Sequence, residues 1–278
     1  MPHIQHVRSR PQEVLTAELQ RAVQAPQSPL DNQLLASLPE AELDRLWPLM
    51  KSVDLPRGTS VHGAGEQQDQ VYFPTAGIFV RRFETLSGAT IGFGITGSEG
   101  AVGIASILGG DRMPSAELAL TNARAYRVDA ATLDLELERG GPLACALLRH
   151  VQLIIAEIGQ DVACNRFHSV EQQLCRWLLS CLDRSTSNVL LMTHEMLGNL
   201  LGVRRESVTA AAHLLQMAGA FDCRRGRITI HNRALLEAQA CECYANLKRE
   251  QARLFPRDAS TAHGVEAPET ALGCARAR

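Results

Sequence analysis

A chain of 278 residues, 45% hydrophobic and 21% charged, is long enough for two ordinary domains and apolar enough to bury a core in each. Aromatic residues make up only 4%, which argues against stacking on exposed bases, and a net charge of −2 requires any nucleic-acid binding to come from a local patch. No run approaches the ~20 apolar residues of a membrane helix. The opening MPHIQHVRSRPQEV also lacks a signal-peptide core, so the chain reads as cytoplasmic, with no membrane partner and reduced cysteines.

Residues 1–30 are polar and interrupted by Pro11, Pro26 and Pro29, with one short helical stretch at 13–23; they read as a flexible arm. Leu34, Leu35 and Leu38, then Leu43, Leu46 and Leu49, predict a short helical pair. From Lys51 the pattern changes. VDLPRGTSVHGAGE, QVYFPTAGIFVRRF, TIGFGITGSEGAVGI and AELALTNARAYRV each give a few β-prone residues before a turn signal. Short strands at such spacing predict an antiparallel roll or jelly roll, which with the helix at 130–138 fills residues 31–141.

Gly140-Gly141 breaks that helix, and Pro142 suits the first turn of the next one. In PLACALLRHVQLIIAEIGQDVACNRFH, residues Ala144, Leu147, Val151, Ile154 and Ile158 alternate spacings of three and four, the seam of a coiled coil. A second stripe, Leu148, Ile155 and Val162, can pack on the β domain. Residues 142–168 are therefore expected to form a dimerisation helix and hinge, with Leu147, Val151, Ile154 and Ile158 at the interface. Asp161 and Asn165 fall at the far end of that seam, where the chains splay.

The C-terminal part, 169–250, starts with a helix over 171–184 and a short strand over 188–192. THEMLGNLLGVRRESVTAAAHLLQMAG then reads as a helix capped by Thr193, a turn at Gly202, and a second helix burying Val208, Ala211, Leu214 and Leu215. Gly198 lets the two helices cross closely. This is the pattern of a DNA-binding helix-turn-helix. Two short strands around Arg224-Arg225-Gly226 form a wing, and Asn232 caps a last helix, RALLEAQACECYANLKREQARLF, whose end overlaps a terminal segment at 251–278 that reads as a disordered tail beyond Pro256. Cys145, Cys164, Cys175 and Cys181 fall in separate helical positions. Cys241 and Cys243 point to different sides of that last helix, so neither a metal site nor a cofactor is predicted.

This order of parts, an α+β chain with a β-roll, a long helix and a winged helix-turn-helix, resembles the Crp/Fnr family of bacterial transcription regulators over about residues 34–244. The resemblance is carried by THEMLGNLLGVRRESVTAAAHLLQMAGAF, by the wing RRGRITI, and by GSEGAVGI with the downstream PSAELAL. It implies a homodimeric, sequence-specific DNA-binding regulator and no catalytic residues. Its partners would be double-stranded DNA, a second copy of the chain and RNA polymerase. The alternative is a small-molecule or cyclic-nucleotide sensor module with a weakened DNA-binding half.

The family's readers open the recognition helix with an Arg-Glu pair, and Arg205-Glu206 stands there; a later arginine of the family is Ala210 here. Arginine can grip guanine O6 and N7 with two donors, and glutamate can accept from cytosine N4. Thr209 or His213 can substitute at the groove edge for the missing arginine. Thr193, Arg204, Ser207 and the wing arginines Arg224, Arg225 and Arg227 suit phosphate contacts. Six arginines against two acids between Arg204 and Arg233 supply the local patch that the net charge lacks.

Relatives that bind cyclic AMP use a glutamate and an Arg-Ser pair in the roll. Aligned on GSEGAVGI and PSAELAL, the corresponding pocket here is Gly100, Ala101, Pro114 and Ser115, with Arg112 nearby. Proline offers neither charge nor an amide donor, so the usual nucleotide contacts are missing and the effector is unknown. The N-terminal arm has no cysteine for an oxygen-sensing cluster. His62 and His150 are candidate haem ligands on residue type alone.

Overall fold

The computed structural model describes residues 28–256; the helix expected at 13–23 and nearly all of the arm and tail lie outside the described residues. The architecture is α+β. Asn32 caps α1 (Gln33–Ala36) by accepting from the Leu35 amide, and its Nδ2 donates to the Pro74 and Gly100 carbonyls at 2.8 and 2.9 Å. That fastens α1 and α2 (Glu40–Leu46) to the sheets, with Leu34, Leu35 and Leu46 buried.

The roll comprises β1 (Lys51–Leu55), β2 (Ser60–His62), β3 (Gln70–Ala76), β4 (Phe79–Glu84), β5 (Thr90–Thr96), α3 (Ile104–Ile107), β6 (Ala116–Ala119) and β7 (Ala123–Asp129). Its sheets have the orders β1-β7-β3 and β2-β6-β4-β5, and every pair is antiparallel. Pro74 lies in β3, an edge strand, where a missing amide donor is tolerated.

After α4 (Ala130–Glu138) comes α5 (Pro142–Phe167), whose 26 residues give a length of about 39 Å at 1.5 Å each. The burial of the two apolar stripes of α5 is the reverse of that expected. Leu147, Val151 and Ile154 are buried within the chain, Leu147 in one apolar cluster with Leu35, Phe73 and Leu133, and Ile158 is half-buried. Leu148, Ile155 and Val162 are instead 49, 64 and 66% exposed. A three-four spacing marks any apolar helix face, and here the richer face went to the core. Asp161, expected on an open seam, is buried too: it accepts from the Gly94 amide at 2.9 Å and pairs with Arg176 at 2.6 Å.

By length and composition α5 could also cross a membrane, which corrects the expectation that no run comes close. Its packing is that of a core helix, with Glu157 and Asp161 on the buried face in ion pairs to Arg184 and Arg176.

The remaining elements are α6 (Val170–Leu182), β8 (Val189–Leu191), α7 (His194–Leu201), α8 (Arg205–Met217), β9 (Phe221–Arg224), β10 (Arg227–Ile230), α9 (Arg233–Gln239) and α10 (Glu242–Leu254). The expected single last helix is two. Asn232 caps α9 as predicted, but Ala240 and Cys241 are extended, and Cys241 becomes the N-cap of α10. One apolar cluster runs from the roll (Ile78, Val80, Ile95, Leu120) into α6, α7 and α8, so the two halves share a core.

Candidate nucleic-acid interface

Thr193 accepts from the Met196 amide at 3.1 Å and starts α7; Gly202, at φ 67°, ends it in the left-handed conformation that glycine favours. A side chain at Gly198 would come within 2.9 Å of the Val203 carbonyl, so this glycine is what lets the turn pass close to α7. Both glycines do what the sequence pattern predicts. Val208, Ala211, Ala212 and Leu215 seat α8 on the core, whereas Leu214, expected inside, is 58% exposed.

The opposite face of α8 is open. Arg205, Glu206, Ser207, Thr209, Ala210 and His213 are all exposed, with Arg204 at the N-cap position. No side chain caps this helix, and its amide end adds partial positive charge to the two arginines. Thr209 is partly committed. Its hydroxyl donates to the Arg205 carbonyl at 3.0 Å and lies 3.1 Å from His194 Nδ1, while His194 Nε2 lies 3.3 Å from Cys223 Sγ. Burial, and then the nearby Arg205 charge, hold the His194 pKa below its ordinary value. A neutral ring donating from Nδ1 and accepting from the Cys223 thiol satisfies all three groups.

The wing is a two-residue hairpin. Arg224 pairs with Arg227 across it, and Arg225 and Gly226 both have positive φ (51° and 74°), the requirement of a type I′ turn. Arg224 and Arg225 are exposed and Arg227 is half-buried, and the side chain of Thr193 lies beside Gly226. α8, the wing and the start of α7 therefore form one arginine-rich surface.

The expected effector residues differ in exposure. Gly100 and Ala101 are buried against His150, whose ring leaves no room for a side chain at Gly100. His150 Nε2 lies 3.1 Å from the Ala101 amide nitrogen, and burial pushes the His150 pKa down to about 4. Ser115 is buried, while Arg112 sits on the surface with Asp111 and donates to the Gly65 carbonyl. Nearby, Arg81 pairs with Glu117 at 3.2 Å and donates to Thr96, and Glu117 accepts from the Gly103 amide at 2.8 Å. His62 is buried edge-on against Tyr72.

Sequence reasoning missed how the C-terminal half docks. Leu200 of α7 presses on Gly92 of β5, and Gly202 packs against Ile91. A cavity of about 330 Å³ opens beside this contact, lined by Arg57, Arg82, Thr90, Thr193, Met196 and Asn199 among others. Arg184 pairs with Glu99 of the roll and Glu157 of α5. Single arginines and glutamates carry no spacing signal that would have revealed these pairs.

Residues 172–239 match the family model of the Crp-like helix-turn-helix domain. Among solved structures, FixK2 from Bradyrhizobium japonicum is 16% identical with a TM-score of 0.60, covering 69% of this chain and 98% of its own. The global regulator CLP from Xanthomonas campestris, described as responsive to c-di-GMP, is 16% identical with a TM-score of 0.58, covering 70% of this chain and 100% of its own. A CRP-family transcriptional regulator from Thermus thermophilus is 19% identical with a TM-score of 0.57, covering 68% and 96%. No curated protein matches the chain. The likeness to these structures is one of fold.

Proposed function

We propose that this chain, Crp/Fnr-type in its fold and in its helix-turn-helix domain, acts as a homodimeric, sequence-specific transcriptional regulator that reads a pseudo-palindromic operator. The observation that carries the reading is the exposed Arg205-Glu206 pair at the uncapped N-terminus of α8, flanked by the arginines of the wing. Arg205 suits guanine and Glu206 suits cytosine. The Thr209 hydroxyl is turned to the backbone, and Ala210 offers only a methyl, so these two positions favour a thymine methyl over a second guanine. Arg204, Ser207, Thr193, Arg224, Arg225 and Arg227 hold phosphates, and His213 lies further along the same face.

Dimerisation is assigned to the open stripe of α5. Leu148, Ile155 and Val162 recur every seven residues, the repeat of a two-helix seam, and leaving them in water is costly. Two recognition helices held by this seam would meet half-sites about one helical turn apart. The roll lacks the family's cyclic-AMP contacts, and the His150 ring fills the space beside Gly100 and Ala101. Any effector would work by shifting the docking of α7 on β5. RNA polymerase is the further partner of a regulator that activates.

Selection of bound duplexes from a random pool tests the reading. An enriched two-fold sequence with half-sites about 10 base pairs apart is expected. A pool without enrichment would contradict it.

A further inference from the structure

The strongest unassigned feature lies where α5 ends and α10 begins. Cys164 Sγ is 3.6 Å from Cys241 Sγ, and Cys243 Sγ is 3.4 Å from His168 Nδ1; the four ligand atoms all lie within 4.8 Å of one another. We propose that Cys164, His168, Cys241 and Cys243 form a structural zinc site that clips the end of the dimer helix to the last helix of the DNA-binding domain.

The local fold explains how the set assembles. Cys164 and His168 are four apart, on one face of the final turn of α5 and its C-cap. Cys241 and Cys243 would diverge on a continuous helix. The extended backbone at Ala240 and Cys241 makes Cys241 an N-cap instead, and both thiols then turn toward α5. The expectation that this cysteine pair cannot chelate is thereby reversed, because it presupposed a helix that the chain interrupts.

Geometry and chemistry agree on the ion. With Zn–S of about 2.3 Å and Zn–N of about 2.0–2.1 Å, a tetrahedron places sulfurs about 3.8 Å apart and a sulfur about 3.5 Å from a nitrogen. The observed 3.6 and 3.4 Å need only small adjustments. An iron–sulfur cluster distributes its ligands over two or more irons and needs them further apart. Three sulfurs and an imidazole are the soft-to-borderline donors that zinc takes in closed structural sites, with no position left for substrate.

Neighbouring side chains hold the ligands in place. His168 presents Nδ1 to the cluster while its Nε2 lies 3.3 Å from the Glu242 carboxylate, the contact that orients a metal-binding imidazole. Gln160 donates to Cys243 Sγ at 3.0 Å, and Gln173 donates to the Cys164 carbonyl at 3.4 Å. The three cysteines are buried and form an apolar cluster of their own. On binding, each thiol releases its proton to solvent. All four ligands lie outside residues 172–239 and flank them on both sides, with Cys164 and Cys241 77 residues apart. The site thus pins both ends of the Crp-like domain, and it stands independently of what that domain reads.

The full chain is to be produced in zinc-supplemented medium, purified anaerobically without chelator, and assayed for metal and free thiols. One zinc per chain is expected in the wild type and in the exposed-cysteine control Cys145→Ser, with zinc lost in Cys243→Ser and His168→Ala. Because a ligand variant can lose zinc by failing to fold, cobalt is also titrated into the metal-free wild type. The expected result is the strong visible absorption of a tetrahedral cobalt–thiolate site, saturating at one equivalent. Cys164, Cys241 and Cys243 should become protected from alkylation while Cys145 stays reactive. Wild-type chain with reduced thiols that takes up neither metal would overturn the proposal. So would an alkylation pattern that metal leaves unchanged, an iron–sulfur chromophore, or a Cys164–Cys241 disulfide in the anaerobically isolated protein.

Discussion

Arg184, directly after α6, places its Nε 2.5 Å from Glu99 Oε1 of the roll, and the same guanidinium reaches Glu157 of α5 at 3.3 Å. One buried arginine therefore ties three parts of the chain together. Removing one partner of a buried pair leaves the other charge without compensation, a loss of about 3–5 kcal/mol. Arg184→Met should lower stability by that order in urea melts. Adding Glu99→Gln to Arg184→Met should recover part of the loss, since it removes the stranded carboxylate; full additivity of the two would contradict the pairing.

Glu157 gives the chain a pH dependence of its own. Burial pushes its carboxyl up from 4.5 to about 7, against the attraction of Arg184 and Arg81 and with help from Glu99 and Asp161. An acid with a higher pKa folded than unfolded binds more protons in the native state. Its contribution is therefore full below about 4.5 and is lost as pH rises through about 7. Thermal melts from pH 4.5 to 7.5 should show a shallower decline in Glu157→Gln than in wild type; identical slopes would remove Glu157 as the cause.

The two stripes of α5 make opposite predictions. Ile155→Glu changes a side chain that is 64% exposed, so it should yield a folded monomer by light scattering. Ile154→Glu puts a charge in the core and should unfold the chain. A dimer surviving in Ile155→Glu would place the seam elsewhere.

Zinc removal should act on stability before anything else. A chelator strong enough to strip the ion should lower the melting temperature of the reduced wild type, and added zinc should restore it. In Cys243→Ser the same treatment should change nothing.

Much of this was legible because it depends on local chemistry. Gly202, Gly198 and Thr193 fix the helix-turn-helix within a dozen residues, and Arg225-Gly226 fixes the wing, so neighbours in sequence sufficed. The α5 helix was equally plain, but which stripe faces inward depends on what the roll offers it, and periodicity carries no such information. The break before Cys241 was hidden because no proline or glycine marks it; without that break the Cys164–Cys241 approach is invisible. The effector residues were placed by alignment to the roll, yet the ring that packs on Gly100 and Ala101, that of His150, comes from a position on α5 that no motif singles out.

On the proposed reading, the wing grips phosphates and does not read bases. Arg225→Ala should weaken binding to all duplexes alike and reduce the slope of log affinity against log salt by about 1. A change in preferred sequence would mean that Arg225 reads bases.

The central claim is that Arg205 reads a base from the N-terminus of α8. Fluorescence anisotropy on the selected operator and on a version with the paired guanine replaced tests it directly. Arg205→Ala should lose about 1–3 kcal/mol on the operator, roughly 5- to 150-fold, and should bind the two duplexes equally. A folded Arg205→Ala protein that keeps both its affinity and its preference would contradict the account.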